Sequence, residues 1–185
     1  MLKKKKGTLS MKIFVIVGMP AAGKNLARDY ATARGIPYFA TGDLVRTEVV
    51  LRGIEATPDN MAQISTELRG EDGMGVTRLA LETALNAKAP LVMLEGMRSW
   101  PEIELIRQQA TAVVIAFLAP LAIRRQRIIS RGRSDDSADA FNERDQREIA
   151  YGTAAPIALA DEYILNTGTM EEALQRLNDL LDRYR

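Results

Sequence analysis

The segment GMPAAGKN, residues 18–25, constrains the fold of this chain more than any other part of the sequence. It follows the apolar strand pattern MKIFVIV and precedes a helical pattern that Gly35 is placed to end. A turn between a buried strand and a helix directs backbone N–H groups to one point, where the helix dipole adds positive charge. The segment therefore predicts a phosphate-binding loop rather than a glycine turn followed by a surface lysine.

Each part of this loop has an expected role. Gly18 and Gly23 permit the tight backbone path, and Lys24 reaches the outer phosphates of a nucleotide. The predicted nucleotide-binding residues in this loop are Gly18, Met19, Pro20, Ala21, Ala22, Gly23, Lys24, Asn25 and Leu26.

The loop departs from the pattern G-x-x-x-x-G-K-[ST] at its last position, where Asn25 replaces a hydroxyl residue. A carboxamide oxygen is still a hard ligand, so Asn25, Asp43 and Glu95 are candidates to hold Mg²⁺, directly or through water. Asp43 and Glu95 follow predicted strands, at the edge where ligands bind in open α/β sheets. Asp43 could equally cap a helix, and Glu95 could be a lone charge at a strand end.

Composition excludes several classes of chemistry. The 185 residues contain no cysteine and no histidine, so disulfides, thiol catalysis, Ser-His-Asp hydrolysis and histidine zinc sites are ruled out. The net charge is +1, which provides no long-range attraction to nucleic acid. No apolar run approaches the roughly eighteen residues of a membrane span, and we expect a soluble, cytoplasmic protein. Oligomeric state cannot be inferred.

The order of the patterns predicts one α/β domain over residues 11–185, with a five-stranded parallel sheet and helices on both faces. The expected strands are residues 11–17, 36–40, 90–95, 111–119 and 162–166. Helices are expected after the loop, from Asp43, after TPDN to about Arg69, and over residues 76–86, 101–109, 121–130, 138–150 and 170–184. Residues 1–10, with Lys3 to Lys6, are predicted to be a disordered basic extension, although they could also be a binding arm.

The segment TGDLVR, residues 41–46, resembles the part of adenylate kinase that lies over the acceptor nucleotide. The resemblance assigns acceptor binding to Thr41, Gly42 and Arg46. The segment EGMR, residues 95–98, resembles the acidic residue, glycine and arginine that nucleoside monophosphate kinases carry at this place. Its spacing is one residue shorter than in adenylate kinase. The resemblance assigns acceptor binding to Arg98. A capped helix and a sheet-edge ion pair are the alternatives.

Arginines crowd the segment after the fourth strand. Phosphoryl transfer spreads negative charge over oxygens, and arginines that close over the site stabilise that charge. We therefore predict a short lid over about residues 127–145. Within it, Arg127 is also predicted to bind nucleotide. The predicted catalytic residues are Lys24, Arg98, Arg131 and Arg133. The lid arginines are Arg127, Arg131, Arg133 and Arg144. A solvated basic face paired with Asp135, Asp136 and Asp139 is the alternative.

LNTG, residues 165–168, resembles the turn near the donor base in adenylate and dephospho-coenzyme A kinases, which assigns nucleotide binding to Asn166 and Gly168. With LEGMRS, RGRSDD, ERDQRE and ADEYILNTG, these motifs resemble an uncharacterised archaeal family of P-loop proteins related to those kinases. The resemblance covers nearly all of the chain from Met11 and implies a P-loop NTPase fold, with acceptor-binding helices at about residues 41–87.

The motifs together predict an ATP-dependent kinase that moves the γ-phosphoryl group to a nucleotide-like or dephospho-coenzyme A-like acceptor. Two alternatives remain. The unusual Asn25 and the lack of an obvious base would suit a non-catalytic or weakly hydrolytic nucleotide sensor. The lysine arm and the lid arginines would suit a nucleic-acid factor, which the neutral charge and few aromatic residues disfavour.

Overall fold

Five apolar segments form one sheet. The structure is a computed structural model that describes residues 11–131 and 137–184. The strands are β1 (Lys12–Val17), β2 (Tyr38–Ala40), β3 (Leu91–Glu95), β4 (Thr111–Leu118) and β5 (Glu162–Leu165). Their order is β2-β3-β1-β4-β5, and every neighbouring pair is parallel. Because β1 lies between β3 and β4, its carboxyl end is the point where an open α/β sheet binds ligands.

Nine helices in the described part of the chain connect these strands. They are α1 (Asn25–Ala33), α2 (Thr41–Leu51), α3 (Pro58–Arg69), α4 (Gly75–Asn86), α5 (Trp100–Arg107), α6 (Leu121–Arg131), α7 (Ala138–Ala150), α8 (Ala154–Ala158) and α9 (Met170–Asp182). The predicted parallel sheet is confirmed. Helix α2 begins two residues before the predicted Asp43, and α8 was not predicted because five residues are too few to show a helical period.

Helices cover the sheet on both faces, which explains why β1 is a continuous apolar run. Phe14 and Ile16 face a core built with α1 and α9. Ile13, Val15 and Val17 face a second core, built with α4 and α5. All five side chains are essentially inaccessible to solvent, so the strand that precedes the loop is fixed from both sides.

Helices α2, α3 and α4 form a smaller cluster of their own, centred on Val45, Val49, Ile64 and Val76. Helix α3 begins as TPDN predicted, since the Thr57 side chain accepts a hydrogen bond from the Asn60 amide. Within the described residues, no helix is long and apolar enough to cross a membrane.

Candidate functional site

Residues 18–25, the phosphate loop, connect β1 to α1 through a backbone that requires its two glycines. Gly18 has φ 149° and lies so close to β4 that a Cβ there would be 2.7 Å from the Phe117 carbonyl oxygen. Gly23 has φ 109°, and a Cβ there would overlap the side-chain amide of Asn166. Ala21 also has a left-handed φ of 59°. In this loop, residues of positive φ alternate with residues of negative φ. Such an alternation turns successive backbone N–H groups to one side, as in anion-binding nests.

Lys24 folds back over the loop that carries it. Its ammonium donates to the Gly18 carbonyl at 2.8 Å and to the Met19 carbonyl at 3.4 Å. Burial lowers the pKa of Lys24, and the carboxylates of Glu95 and Glu148 partly offset this effect. A desolvated ammonium at the loop gains more from a phosphate than an exposed one would.

Asn166 and Arg127 attach the loop to the far end of the sheet. Asn166 is buried, and its side-chain amide donates to the Ala22 carbonyl at 2.9 Å. The Arg127 guanidinium donates to the Ala21 carbonyl at 3.2 Å and to the Asn166 carbonyl at 3.0 Å. The two residues therefore contact the loop backbone itself, on the side of its carbonyl groups.

A buried ion pair joins α6, α7 and the loop. Arg124 and Asp145 form two parallel hydrogen bonds of 2.7 and 2.6 Å, and each residue is only 7% exposed. Arg124 also donates to the Pro20 carbonyl at 3.1 Å. Arg124 therefore lies in the interior between α6 and α7, and not on the exposed surface of α6.

A cavity of about 440 Å³ lies beside the loop, between the α2–α4 cluster and α7. Pro20 of the loop lies at one side, and Val45, Met61 and Val76 form an apolar wall. Four arginines also line it, namely Arg69, Arg98, Arg144 and Arg147. A small molecule with an anionic group and an apolar portion would fit this lining.

Arg98 is one of the charged residues that line this cavity. Its backbone N–H donates to Glu102 at 2.8 Å, in the capping arrangement that begins α5. Its guanidinium pairs with Glu148 at 3.2 Å and lies 5.0 Å from the centre of the Tyr151 ring. Arg69 lies 5.4 Å from the same ring centre. The aromatic ring thus interacts with two arginines.

Comparison with known proteins identifies the family. A family model described as "AAA domain" matches residues 17–142. A "UPF0200 protein" of Methanosarcina acetivorans is 37% identical over 179 residues, which cover 94% of this chain and 96% of that protein. Another, of Methanocaldococcus jannaschii, is 37% identical over 177 residues, with 92% and 89% covered. The chain belongs to the UPF0200 family, and its residues 17–142 to the AAA domain family. The predicted archaeal P-loop family is confirmed.

Solved structures show the same fold as this UPF0200 protein. The crystal structure of TT1252 from Thermus thermophilus aligns with a TM-score of 0.65 at 18% identity, covering 95% of this chain and 99% of that one. Shikimate kinase from Acinetobacter baumannii, in complex with shikimate, aligns with a TM-score of 0.55 at 15% identity, covering 96% of each chain. These findings support a nucleotide-binding P-loop protein with a kinase-like fold.

The three candidate metal ligands of the UPF0200 protein have different surroundings. Asn25 is exposed at the first position of α1. Glu95 accepts a hydrogen bond from the Tyr38 hydroxyl at 2.7 Å. Burial raises the pKa of the Tyr38 hydroxyl, and the negative charge of Glu95 raises it further. Asp43 pairs with Arg28 at 2.7 Å and with Arg46 at 3.3 Å. Among the described residues, no group of three or more acidic side chains could hold a metal ion by itself.

The structure brings some predicted acceptor and lid residues to the cavity and not others. Thr41, Gly42, Arg98 and Arg144 line it, whereas Arg46 lies with Asp43 on an exposed part of α2. The reason is that Arg46 is at a different angle around the helix from Val45, which faces the cavity.

The remaining predictions concern the lid and the donor side. Arg131 is exposed at the end of α6. Gly168 is in the turn before α9, where a Cβ would overlap the Glu172 carboxylate. Arg133, Asp135, Asp136 and the Lys3 to Lys6 extension lie outside the described residues.

Sequence reasoning missed part of the cavity lining on α7 and α3. Arg147, Glu148 and Tyr151 line the cavity with Arg144, and all four residues follow the spacing i, i+3, i+4 and i+7 of one helical face. That spacing was visible in ERDQREIAY and could have identified them. Arg69 and Met61 are far away in sequence, and no local pattern indicated them.

Proposed function

We propose that this protein transfers the γ-phosphoryl group of ATP to a small phosphorylated or hydroxyl acceptor, in the manner of nucleoside monophosphate kinases. The supporting observation is the adjacency of the phosphate loop to an arginine-lined cavity, with Pro20 common to both. A hydrolase needs room only for water next to the γ-phosphate. A cavity of about 440 Å³ beside the phosphate loop has room for a second substrate.

On the donor side, the loop amides and Lys24 would bind the phosphates of ATP. The Lys24 ammonium would exchange its Gly18 and Met19 carbonyl partners for phosphate oxygens, which carry more negative charge. The acceptor oxygen would attack the γ-phosphorus, and the bond to the bridging oxygen of ADP would break. Catalysis would consist of positioning and charge stabilisation.

On the acceptor side, Arg98 and the arginines of α7 would hold the anionic group. Glu148 now pairs with Arg98 and accepts a hydrogen bond from Thr153 at 3.1 Å. A phosphate dianion offers Arg98 more charge than a carboxylate, so an acceptor phosphate would compete with Glu148 for the guanidinium. Glu102 and Glu148 both line the cavity, and Glu102 already accepts hydrogen bonds from Thr77, Ser99 and the Arg98 backbone. For a hydroxyl acceptor, Glu148 would therefore be the carboxylate that takes the proton.

Mg²⁺ is compatible with these residues, because this ion is usually held by one or two carboxylates together with substrate phosphates and water. Glu95 at the end of β3 and Asn25 at the loop would be its protein partners. Asp43 is less suited, since two arginines already neutralise it. The bound ion would neutralise charge on the phosphate oxygens.

The direct test is ADP formation from ATP and Mg²⁺ in the presence of nucleoside monophosphates, dephospho-coenzyme A or shikimate, each added separately. We expect one acceptor class to raise ADP formation well above the rate without acceptor. The Arg125→Met variant should form ADP at the same rate as the original chain, because Arg125 is exposed on the same helix as Arg127 and lies outside the site. ATP binding without acceptor-dependent ADP for any compound would count against the proposal.

A non-catalytic nucleotide sensor is the second candidate, and Asn25 is the observation that favours it. An exposed carboxamide stands where a hydroxyl usually ligates the metal. Replacing Asn25 with serine discriminates the two. The sensor predicts tight binding of ATP or ADP with negligible turnover in the presence of Mg²⁺. A large rise in turnover on substitution supports a degenerate enzyme, whereas measurable turnover that stays unchanged supports a metal shell that works through Asn25 or water.

A further inference from the structure

Three neighbouring carbonyl groups of the phosphate loop, those of residues 20–22, are held by side chains from other parts of the chain. The carbonyl groups of five consecutive residues, 18–22, all accept hydrogen bonds from the protein. The donors in order are Lys24 for Gly18 and Met19, Arg124 for Pro20, Arg127 for Ala21 and Asn166 for Ala22. Three of the four donors come from α6 and the end of β5, not from the loop.

Holding a carbonyl also fixes an amide. In a planar trans peptide, the C=O of one residue and the N–H of the next point in opposite directions. Because the Pro20 carbonyl accepts from Arg124, the Ala21 N–H points away from the Arg124 guanidinium. Because the Ala22 carbonyl accepts from Asn166, the Gly23 N–H points away from the Asn166 amide in the same way.

Ala21 is the residue of the loop that most needs such support. Its φ of 59° is left-handed, a conformation that a residue with a side chain rarely adopts without restraint. Arg124 holds the carbonyl before it, and Arg127 holds its own carbonyl at 3.2 Å. Two guanidinium groups thus restrain the peptide units on both sides of this residue.

Arg124 is itself rigid. It is 7% exposed, and Asp145 grips it through two hydrogen bonds of 2.7 and 2.6 Å. Its guanidinium also lies 5.3 Å from the centre of the buried Phe141 ring. A buried ion pair of this kind contributes little net free energy to folding, so we expect this pair to contribute to the conformation of the loop that it contacts.

We propose that Arg124, held by Asp145, is a positioning residue that orients the Pro20–Ala21 peptide so that the loop presents its amides to phosphate. Arg124 acts through the loop backbone and need not contact substrate. The inference rests on the proposed phosphate binding and adds to it. Because Asp145 is on α7 beside Arg144, the same pair connects the loop to the helix that lines the acceptor cavity.

The test removes the Arg124 guanidinium without leaving Asp145 as an unpaired buried charge. In the full chain, the double variant Arg124→Met with Asp145→Leu replaces the ion pair by apolar side chains of similar size, a change that folded proteins often tolerate. The matched control is Arg125→Met, which removes an exposed arginine from the same helix. Calorimetric titration with inorganic tripolyphosphate and with ATP measures loop binding, and thermal unfolding without ligand measures stability.

We expect the double variant to unfold within a few degrees of the original chain but to bind tripolyphosphate about tenfold more weakly, because the Ala21 N–H is no longer held in place for phosphate and about one hydrogen bond from the loop to the ligand is lost. ATP affinity should fall by the same factor, because the defect is in the phosphate contacts. The control should bind both ligands as the original chain does.

Two results would overturn the inference while the proposed function stands. One is tripolyphosphate affinity equal to that of the original chain. The other is weaker binding of ATP alone, which would place the effect of Arg124 on the base. Failure of the original chain to bind either ligand would overturn the proposed function and this inference together.

A double variant that does not fold would be followed by Arg124→Lys. Lysine keeps the charge opposite Asp145 and can donate to either Asp145 or the Pro20 carbonyl with less fixed geometry, so tripolyphosphate and ATP should both bind more weakly than to the original chain, by less than about tenfold. Loss of stability with unchanged affinity in this folded variant would show a merely structural role.

Discussion

The phosphate loop and the cavity beside it, which we propose as the donor side and the acceptor side of the site, are built by different means. On the donor side, a backbone loop is fixed between strands by glycine conformations and by donors to its carbonyl groups. On the acceptor side, long side chains from α3, the β3–α5 connection and α7 surround a cavity, and Arg98 and Tyr151 are partly or largely exposed. The backbone of the loop can therefore change little without strain, whereas the partly exposed side chains around the cavity can adjust to a bound molecule.

The largest effect is expected from Lys24→Met, which removes the cation of the donor side. Turnover should fall by about a hundredfold to a thousandfold, the loss typical of a group that stabilises charge in the transition state. Steady-state ADP formation with the active acceptor measures it. If Lys24→Met retained normal turnover, the donor side would not work as proposed.

A pair of glycine substitutions compares the two sides directly. Gly23→Ala combines a left-handed φ with overlap of the buried Asn166 amide, and should cost about 2–4 kcal/mol of stability as well as ATP affinity. Gly96→Ala has a φ of 103° and overlaps the Thr41 side chain, which can rotate, so its cost should be about 1–2 kcal/mol.

Chemical denaturation and calorimetric titration with ATP measure both effects. Gly42→Ala is the control for stability, because no atom lies within 4 Å of its added Cβ and the position is helical. Equal losses of ATP affinity for Gly23→Ala and Gly96→Ala would contradict the distinction between the two sides.

On the acceptor side, Arg98→Ala should act on substrate binding more than on the fold. The KM for the acceptor should rise about tenfold to a hundredfold, since one charge-assisted hydrogen bond to an anion is lost. Stability should change by less than about 1 kcal/mol, because the Arg98–Glu148 pair is partly exposed. Initial rates over a range of acceptor concentrations measure the effect, and Arg125→Ala is the matched control. A fall in kcat with unchanged KM would instead place Arg98 at the transferred phosphoryl group.

The smallest effect concerns the turn that precedes α4, on the outer part of the acceptor side. Arg78, and then the Met74 backbone N–H, lower the pKa of Asp72 to about 2, from 3.8. A depressed pKa stabilises the fold above pH 3.8, and this contribution is lost as the pH falls toward 2. Asp72→Asn should therefore unfold at a slightly lower temperature near neutral pH, with a difference that shrinks below pH 3.8. Thermal unfolding at several pH values checks this, and a difference independent of pH would contradict it.

The sequence predicted the donor side in more detail than the acceptor side. Gly18, Gly23 and Lys24 lie within one eight-residue loop, and the alternation of apolar strands with helices places that loop at the carboxyl end of β1. Arg46 shows the limit of the same reasoning. Its motif resembled an acceptor segment, but its rotation around α2 takes it away from the cavity, toward Asp43.

The sequence by itself determined the parallel sheet, the phosphate loop and the family resemblance, because periodicity and short motifs depend on neighbouring residues. Only the tertiary structure decided which side chains hold the loop and which line the cavity. Arg124 meets Pro20 across 104 residues and Asn166 meets Ala22 across 144. Contacts of that separation depend on how the helices pack over the sheet, and packing is a property of the whole chain.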